Sequence, residues 1–294
     1  MVAMHDTPEF RLEFKNLTPA LIDSLPKVLL RSTAPLSSLA HENAVYVEHV
    51  VDFSELDAAI EQASQAPFTV ALLVRCRDES QVRRLVSDSS AIVVGVLVDD
   101  LAAANAAREL YLPFVVEESL AAQVATGAPR LVNALELFDD FRINEDGEIL
   151  LGRLGSWIRD RDTALVCDLL GDLASGDVDT LADYPLELLR SLGFNAVATG
   201  LDTALLSQLV DQLGLTLEDI FELTAAALDA AFLAKPLREK LFAEQLLPAF
   251  EPYTIGEATT EEEKEPEESE DVDLSGIDPI MLEQFGIDPD DLKK

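Results

Sequence analysis

Histidine is the scarcest of the residues on which chemistry usually relies, with only His5, His41 and His49 among 294 positions. A mechanism that needs several imidazoles as ligands or bases is short of material from the start. Cysteine is nearly as rare. Cys76 and Cys167 each sit inside an apolar run, which excludes a disulfide framework or a cysteine-rich zinc site and fits a reducing cytoplasm. Basic residues are few: 21 Lys and Arg face 56 Asp and Glu, a formal charge of −35. Such a field repels nucleic acid and anionic membrane surfaces, so neither is expected as a partner. No stretch approaches the roughly 18 consecutive apolar residues of a spanning helix. Met1 to Phe10 shows no basic stretch leading into an apolar one, so no targeting or anchoring segment is expected. What the chain does have is 48% hydrophobic residues, mainly Ala, Leu and Val, enough to bury a sizeable core.

The charge is unevenly placed. From Glu251 to Lys294 there are 16 acidic and three basic residues, and the stretch TTEEEKEPEESEDVD has almost nothing to bury. Residues 251–275 are therefore expected to form a disordered acidic linker. Beyond it, in 276–294, Pro279 suits a first helical turn, and Ile280, Met281, Leu282 and Phe285 could form a short apolar face. That set is expected to dock a protein partner; a residual tail with chance hydrophobes is the plainer reading.

Residues 1–250 carry eight apolar runs at roughly even spacing: Lys27–Ser32, Ala44–Val51, Phe68–Cys76, Ala91–Val98, Leu112–Val116, Arg130–Leu135, Ala164–Leu170 and Phe194–Thr199. Near-continuous apolar runs mark parallel strands covered on both faces. The text between them supplies helices. Ser54 is placed to cap SELDAAIEQASQA, Asp99 or Asp100 to open LAAANAAREL, and Thr216 with Asp219 to box LTLEDIFELTAAALDAAFL. Eight strand–helix units predict an α/β fold, a closed (β/α)8 TIM-type barrel, with a doubly wound sheet as the competitor. No G-x-G-x-x-G or P-loop motif supports that competitor. Only 11 residues separate Ser32 from Ala44, so the first unit is expected to be shortened and its strand weakly integrated. NEDG, at 144–147, predicts a tight turn or hairpin.

At this point a family resemblance enters. GLTLEDIFELTAAALDAAFL, from Gly214, resembles the C-terminal helix of the adenosine deaminase family. In the same order, LPKVLL at Leu25–Leu30, YVE at Tyr46–Glu48, Val93–Gly95, Leu112–Val116, Val166 with Cys167, and LADYPLELLRSL at Leu181–Leu192 look like further segments of it. The resemblance implies a metal-dependent aminohydrolase barrel, in which zinc activates the water that replaces an adenine amino group. It also implies where the ligands should stand. The His-x-His pair of the first strand falls on Arg31 and Thr33, and the His-Ala-Gly-Glu of the fifth puts its ends on Glu117 and Leu120. The Gly-His-Gly of the sixth falls on Val132, Asn133 and Ala134, and the Asp-Asp of the eighth on Gly200 and Leu201, one residue before Asp202. A guanidinium has no free lone pair for zinc, and Leu120 cannot move a proton. The resemblance thus implies a divergent member whose metal-binding and catalytic positions are lost.

Single residues read plainly. His49 stands late in its strand and could be a lone acid or ligand, though a rim histidine is the simpler reading. The strand ends offer Arg31, Arg75, Arg77, Asp99, Asp100, Glu117, Glu118, Glu136, Asp168, Asp172 and Asp202. The carboxylates could bind Mg²⁺ or Ca²⁺, and Arg31 and Arg75 an anion, but pairing among them is favoured. Without an adjacent base the cysteines read as buried strand residues. No catalytic residue, cofactor or metal is expected, and a small-molecule ligand is left open. The function expected is a non-catalytic, adenosine deaminase-like scaffold or regulatory module, a pseudoenzyme. The alternatives are a metal-dependent adenosine deaminase-like hydrolase, or an unrelated barrel enzyme using rim carboxylates.

Overall fold

The computed structural model describes residues 17–87 and 91–253. Among the described residues the apolar runs become ten strands once a hairpin is included: β1 Lys27–Ser32, β2 Ala44–Asp52, β3 Thr69–Cys76, β4 Val93–Val98, β5 Phe114–Val116, β6 Arg130–Leu131, β7 Phe141–Ile143, β8 Ile149–Leu151, β9 Ala164–Cys167 and β10 Ala196–Ala198. β1 to β5 form one parallel sheet in sequence order, and β6, β9 and β10 form a second parallel sheet with β9 in the middle. β7 and β8 are the antiparallel hairpin expected at NEDG, where Gly147 takes φ +83° and the Asn144 side chain accepts from the backbone N–H of Asp146 and Glu148. The α/β class therefore stands, and the parallel strands expected to make one closed eight-stranded barrel form a five-stranded and a three-stranded sheet.

Most of the eight parallel strands are shorter than their apolar text: β3, β4, β5 and β10 start one or two residues late, and β6 and β9 end while the text is still apolar. Arg130–Leu135 keeps only two strand residues: Asn133 swings to φ +61° and a 3-10 helix runs from Ala134 to Asp140. Between β1 and β2 there is a single helical turn, Leu36–Leu39, and the β1–β2 register shifts twice. The first unit is thus short, as expected, but its strand is not weakly integrated. Val28, Leu29 and Leu30 are fully buried, and Lys27 beside them donates from Nζ to the carbonyls of Ile22, Asp23 and Leu25, each at 3.0 Å. That ammonium closes the end of helix Pro19–Ser24, and burial draws it below the ordinary lysine range.

Caps set the helix starts. Asp100 caps Leu101–Glu109, and Thr216 with Asp219 forms a full capping box on Leu217–Asp229. Ser54 does not cap its helix; it lies inside a 3-10 turn, Phe53–Glu55, and the α-helix begins at Leu56.

Two apolar clusters organise the core. The larger one fills the space between strands and surrounding helices. The smaller joins Leu73, Leu97 and Val115 of the first sheet to Val132 and Val166 around the second, with Phe232 packed against it. Gly95 admits that phenyl ring. The two sheets therefore share an interior. No helix among the described residues is long and apolar enough to cross a membrane. Glu251–Tyr253, where the disordered acidic linker was expected to start, is a 3-10 turn. The rest of it and Ile280, Met281, Leu282 and Phe285 lie outside the described residues.

Candidate functional site

The C-terminal ends of β1, β2, β3 and β5 bring four charged side chains together. Arg31, in β1, adopts φ +52°, a conformation that costs a non-glycine residue energy and that the surroundings must hold. Its Nη2 donates to Glu117 Oε1 at 3.0 Å, while Arg75 Nη1, from β3, donates to Glu117 Oε2 at 2.6 Å. Glu117 follows β5, where its own N–H donates to Val98 O and fixes the residue to β4. Arg75 Nε lies 3.8 Å from Asp52, its register partner at the end of β2. Arg31 is the most enclosed of the four, with 16% of its side chain exposed against 32% for Glu117. Burial pulls its guanidinium below the ordinary arginine value, and Glu117 opposes the shift.

A second pair lies deeper. Arg130 opens β6 and grips Glu48 of β2 through two hydrogen bonds, Nη1 to Oε2 at 3.1 Å and Nη2 to Oε1. Neither side chain reaches solvent. Arg130 also donates to Ala230 O at 3.2 Å and stacks over the Phe232 ring at 4.0 Å. Beside them the Tyr46 hydroxyl is buried without a hydrogen-bond partner among the described residues, and burial, followed by the Glu48 charge, raises it well above the usual tyrosine range.

The pairing expected of Arg31 and Arg75 is what the structure shows. Most other rim carboxylates serve the backbone. Asp100, Asp168 and Asp202 cap helices, and Glu136 accepts from the Leu120 N–H at 2.8 Å. Asp172 accepts from the Tyr184 hydroxyl at 2.8 Å. Leu120 is buried at a helix start, Asn133 donates to Glu118 O, and Gly200 turns the chain at φ +68°. His49 sits on the strand face opposite Glu48, with Nδ1 3.1 Å from Ser32 O, and burial lowers its pKa. His5 lies outside the described residues, and His41 is exposed. A cavity of about 500 Å³ opens elsewhere, on the loops after β2 and β3, against Phe53, Asp57, Asp78 and Arg84.

Both thiols are buried, and burial pushes each up to about 12. A neutral, enclosed thiol is a poor nucleophile. A thiol-reactive probe at pH 8 is expected to label neither cysteine in the native protein and both after denaturation. Fast native labelling of either one would contradict their burial.

Sequence reasoning missed Glu48 with Arg130, and the buried Lys27. The available signal was a charge inside an otherwise apolar run, as Glu48 in AVYVEHVV, or at its head, as Arg130 in RLVNAL and Lys27 in KVLLRS. Such a residue must find a partner when its strand is buried on both faces.

Known proteins were compared with this chain and this fold. No family profile matches the chain. Over 124 residues it is 35% identical to adenosine deaminase 1 of Streptomyces coelicolor, a match covering 39% of the chain and 31% of that relative. The adenosine deaminase of Mycobacteroides abscessus is 34% identical over 124 residues, with 39% and 33% covered. The chain thus spans about a third of the length of the curated relatives it matches. Among solved structures, the apo N6-methyl-AMP deaminase of Arabidopsis thaliana superposes with a TM-score of 0.62 at 14% identity, over 80% of this chain and 98% of that one. An amidohydrolase from Burkholderia ambifaria, solved with bound zinc, gives 0.63 at 13% identity, over 84% and 97%. The resemblance to the adenosine deaminase family is borne out. The expectation of a non-catalytic scaffold is not: the relatives matched in sequence are adenosine deaminases, which favours the alternative of a deaminase-like hydrolase, while the solved structures bear on the fold alone.

The zinc that this kinship implies can be tested against the donors present. Both oxygens of Glu117 are held by guanidiniums, and the β1 end offers Arg31, Ser32 and Thr33. Among the described residues no group of three or more His, Cys, Asp or Glu side chains converges as a metal cluster. Those residues do not fit zinc.

Proposed function

We propose, with the chain taken as a divergent relative of the adenosine deaminases, that it is a deaminase-type hydrolase acting on a 6-amino or 6-alkylaminopurine. The 35% identity to a curated adenosine deaminase carries this reading. Its two parallel sheets close as one eight-stranded barrel, and the site is the mouth at the C-terminal strand ends, where barrel enzymes place their chemistry. The reaction adds the oxygen of water to C6 of the ring, breaks the C6–N bond and releases ammonia or the alkylamine. Within that mouth Glu117 is the partly exposed carboxylate held by two cations, and it is the group placed to move a proton between water, ring and leaving amine. Arg31 and Arg75 fix both of its oxygens. N6-methyl-AMP, the substrate named for one structural neighbour, belongs in the substrate panel, and IMP, which carries oxygen at C6, is the product expected from AMP or N6-methyl-AMP. The buried, unpaired thiols suit a cytoplasmic setting.

Full-length protein incubated with adenine, adenosine, AMP and N6-methyl-AMP is expected to release amine from at least one of them. Glu117→Gln should lower that rate about 10²-fold or more, the usual scale for losing a proton-transfer group. Release no faster than with heat-denatured protein, for every substrate, would overturn the reading.

A further inference from the structure

We infer that the guanidinium of Arg31 stands in for a metal: it is a tethered cation that holds Glu117 at the mouth and leaves no place there for a divalent ion. The inference deepens the deaminase reading by naming Arg31 as the positioning residue for Glu117. Arg31 projects from the β1 end with 16% of its side chain exposed, and its hydrogen-bond partner is a carboxylate 86 residues away on the far side of three intervening strands. Its strained backbone, at φ +52°, is what a fold retains when the side chain's placement matters. The buried Arg130–Glu48 pair is near enough to act on it: Arg130 repels its charge, and Glu48 with Asp168 favours it. Arg31 and Arg75 answer Glu117 and Asp52, while Arg130 answers Glu48. A divalent ion added to this set would meet two guanidiniums at close range and would have to strip Glu117 from both. Arg31 Nε is buried without an acceptor among the described residues, so the side chain is fitted to its charge and position more closely than to its full set of hydrogen bonds.

The test uses full-length protein, dialysed against chelator, then exposed to zinc chloride and desalted. Wild type is expected to retain no stoichiometric zinc, and its melting temperature should not move with zinc or chelator. Arg31→Met removes the cation and leaves Glu117 and Asp52 with Arg75 alone; its melting temperature should fall by about 2–4 °C or more. Part of that fall should be restored by zinc or calcium, because a freed acidic mouth can now take an external cation. Arg31→Lys keeps a tethered charge and should show no metal rescue. One zinc per wild-type chain would overturn the inference, as would an Arg31→Met protein that melts like wild type or ignores added cations. Should Arg31→Met not fold, the wild-type zinc content and Arg31→Lys still decide. Metal content is read without turnover, so bound zinc sinks this inference whether or not amine is released. Absence of amine release from a zinc-free protein sinks the deaminase reading alone.

Discussion

Replacing Arg130 with alanine is expected to destabilise the fold by about 3–5 kcal/mol, the cost of leaving one member of a buried ion pair without its partner. Glu48 would lose both of its hydrogen bonds while remaining fully buried. The contacts to Ala230 O and the Phe232 ring would go with them. In a chain of this size the melting temperature should drop on the order of 10 °C. The pair joins β2 of the first sheet to β6 of the second, and through Ala230 and Phe232 it ties both to the segment after helix Leu217–Asp229. The double substitution Arg130→Met with Glu48→Leu removes both charges and keeps most of the volume, so it should recover much of the loss. A cycle of single and double variants measured by urea unfolding isolates the coupling. Additive costs would mean that the two side chains share no energy, and the account of the interior would fail.

That pair also marks where the sequence stops being readable. The strands were legible because parallel strands covered on both faces carry unbroken apolar text; β1, β3, β4, β5, β9 and β10 lie within the expected runs, and β2 passes its run by one residue, Asp52. Their ends were not, since the backbone turns at Asn133 while the text is still apolar. Thr216 and Asp219 announced a helix start through a local three-residue spacing, whereas Ser54 offered the same kind of signal and the chain used a 3-10 turn instead. Pairing of Arg31 and Arg75 with acids was legible as chemistry. Its partner was not, because Glu117 is 86 residues from Arg31 and 42 from Arg75, and only the sheet order brings them together. Function was the poorest reading. Counting histidines and matching ligand positions judges one inherited mechanism and says nothing of what else a barrel mouth can do, so that reasoning led to a scaffold while the sequence relatives are deaminases.

Gly95→Val is expected to cost about 3 kcal/mol, at the upper end of ordinary overpacking. A Cβ at this position would lie 2.7 Å from the Pro113 carbonyl oxygen, 2.9 Å from Phe232 Cδ2 and 3.3 Å from Leu73 Cδ1. The carbonyl is the hardest of the three to move, because it accepts the Val96 N–H at 3.0 Å and so sets the first rung between β4 and the approach to β5. Moving it would disturb the register that pairs Leu97 with Val115, the apolar floor under Arg75 and Glu117. Displacing the Phe232 ring instead would unseat the stack on Arg130. Any gain from restricting the unfolded chain is only about 0.4–1 kcal/mol, too small to offset either route. A further substitution distinguishes them. If the ring is the main obstacle, Phe232→Ala should relieve part of the Gly95→Val penalty, and the double variant will be more stable than the two single costs predict. If the carbonyl dominates, the costs will add, and hydrogen exchange should quicken at Val96 and Glu117, whose N–H groups carry the β4–β5 ladder. A Gly95→Val protein as stable as wild type would mean that the floor of the interior is looser than these distances allow, and that the placement of Glu117 does not depend on it.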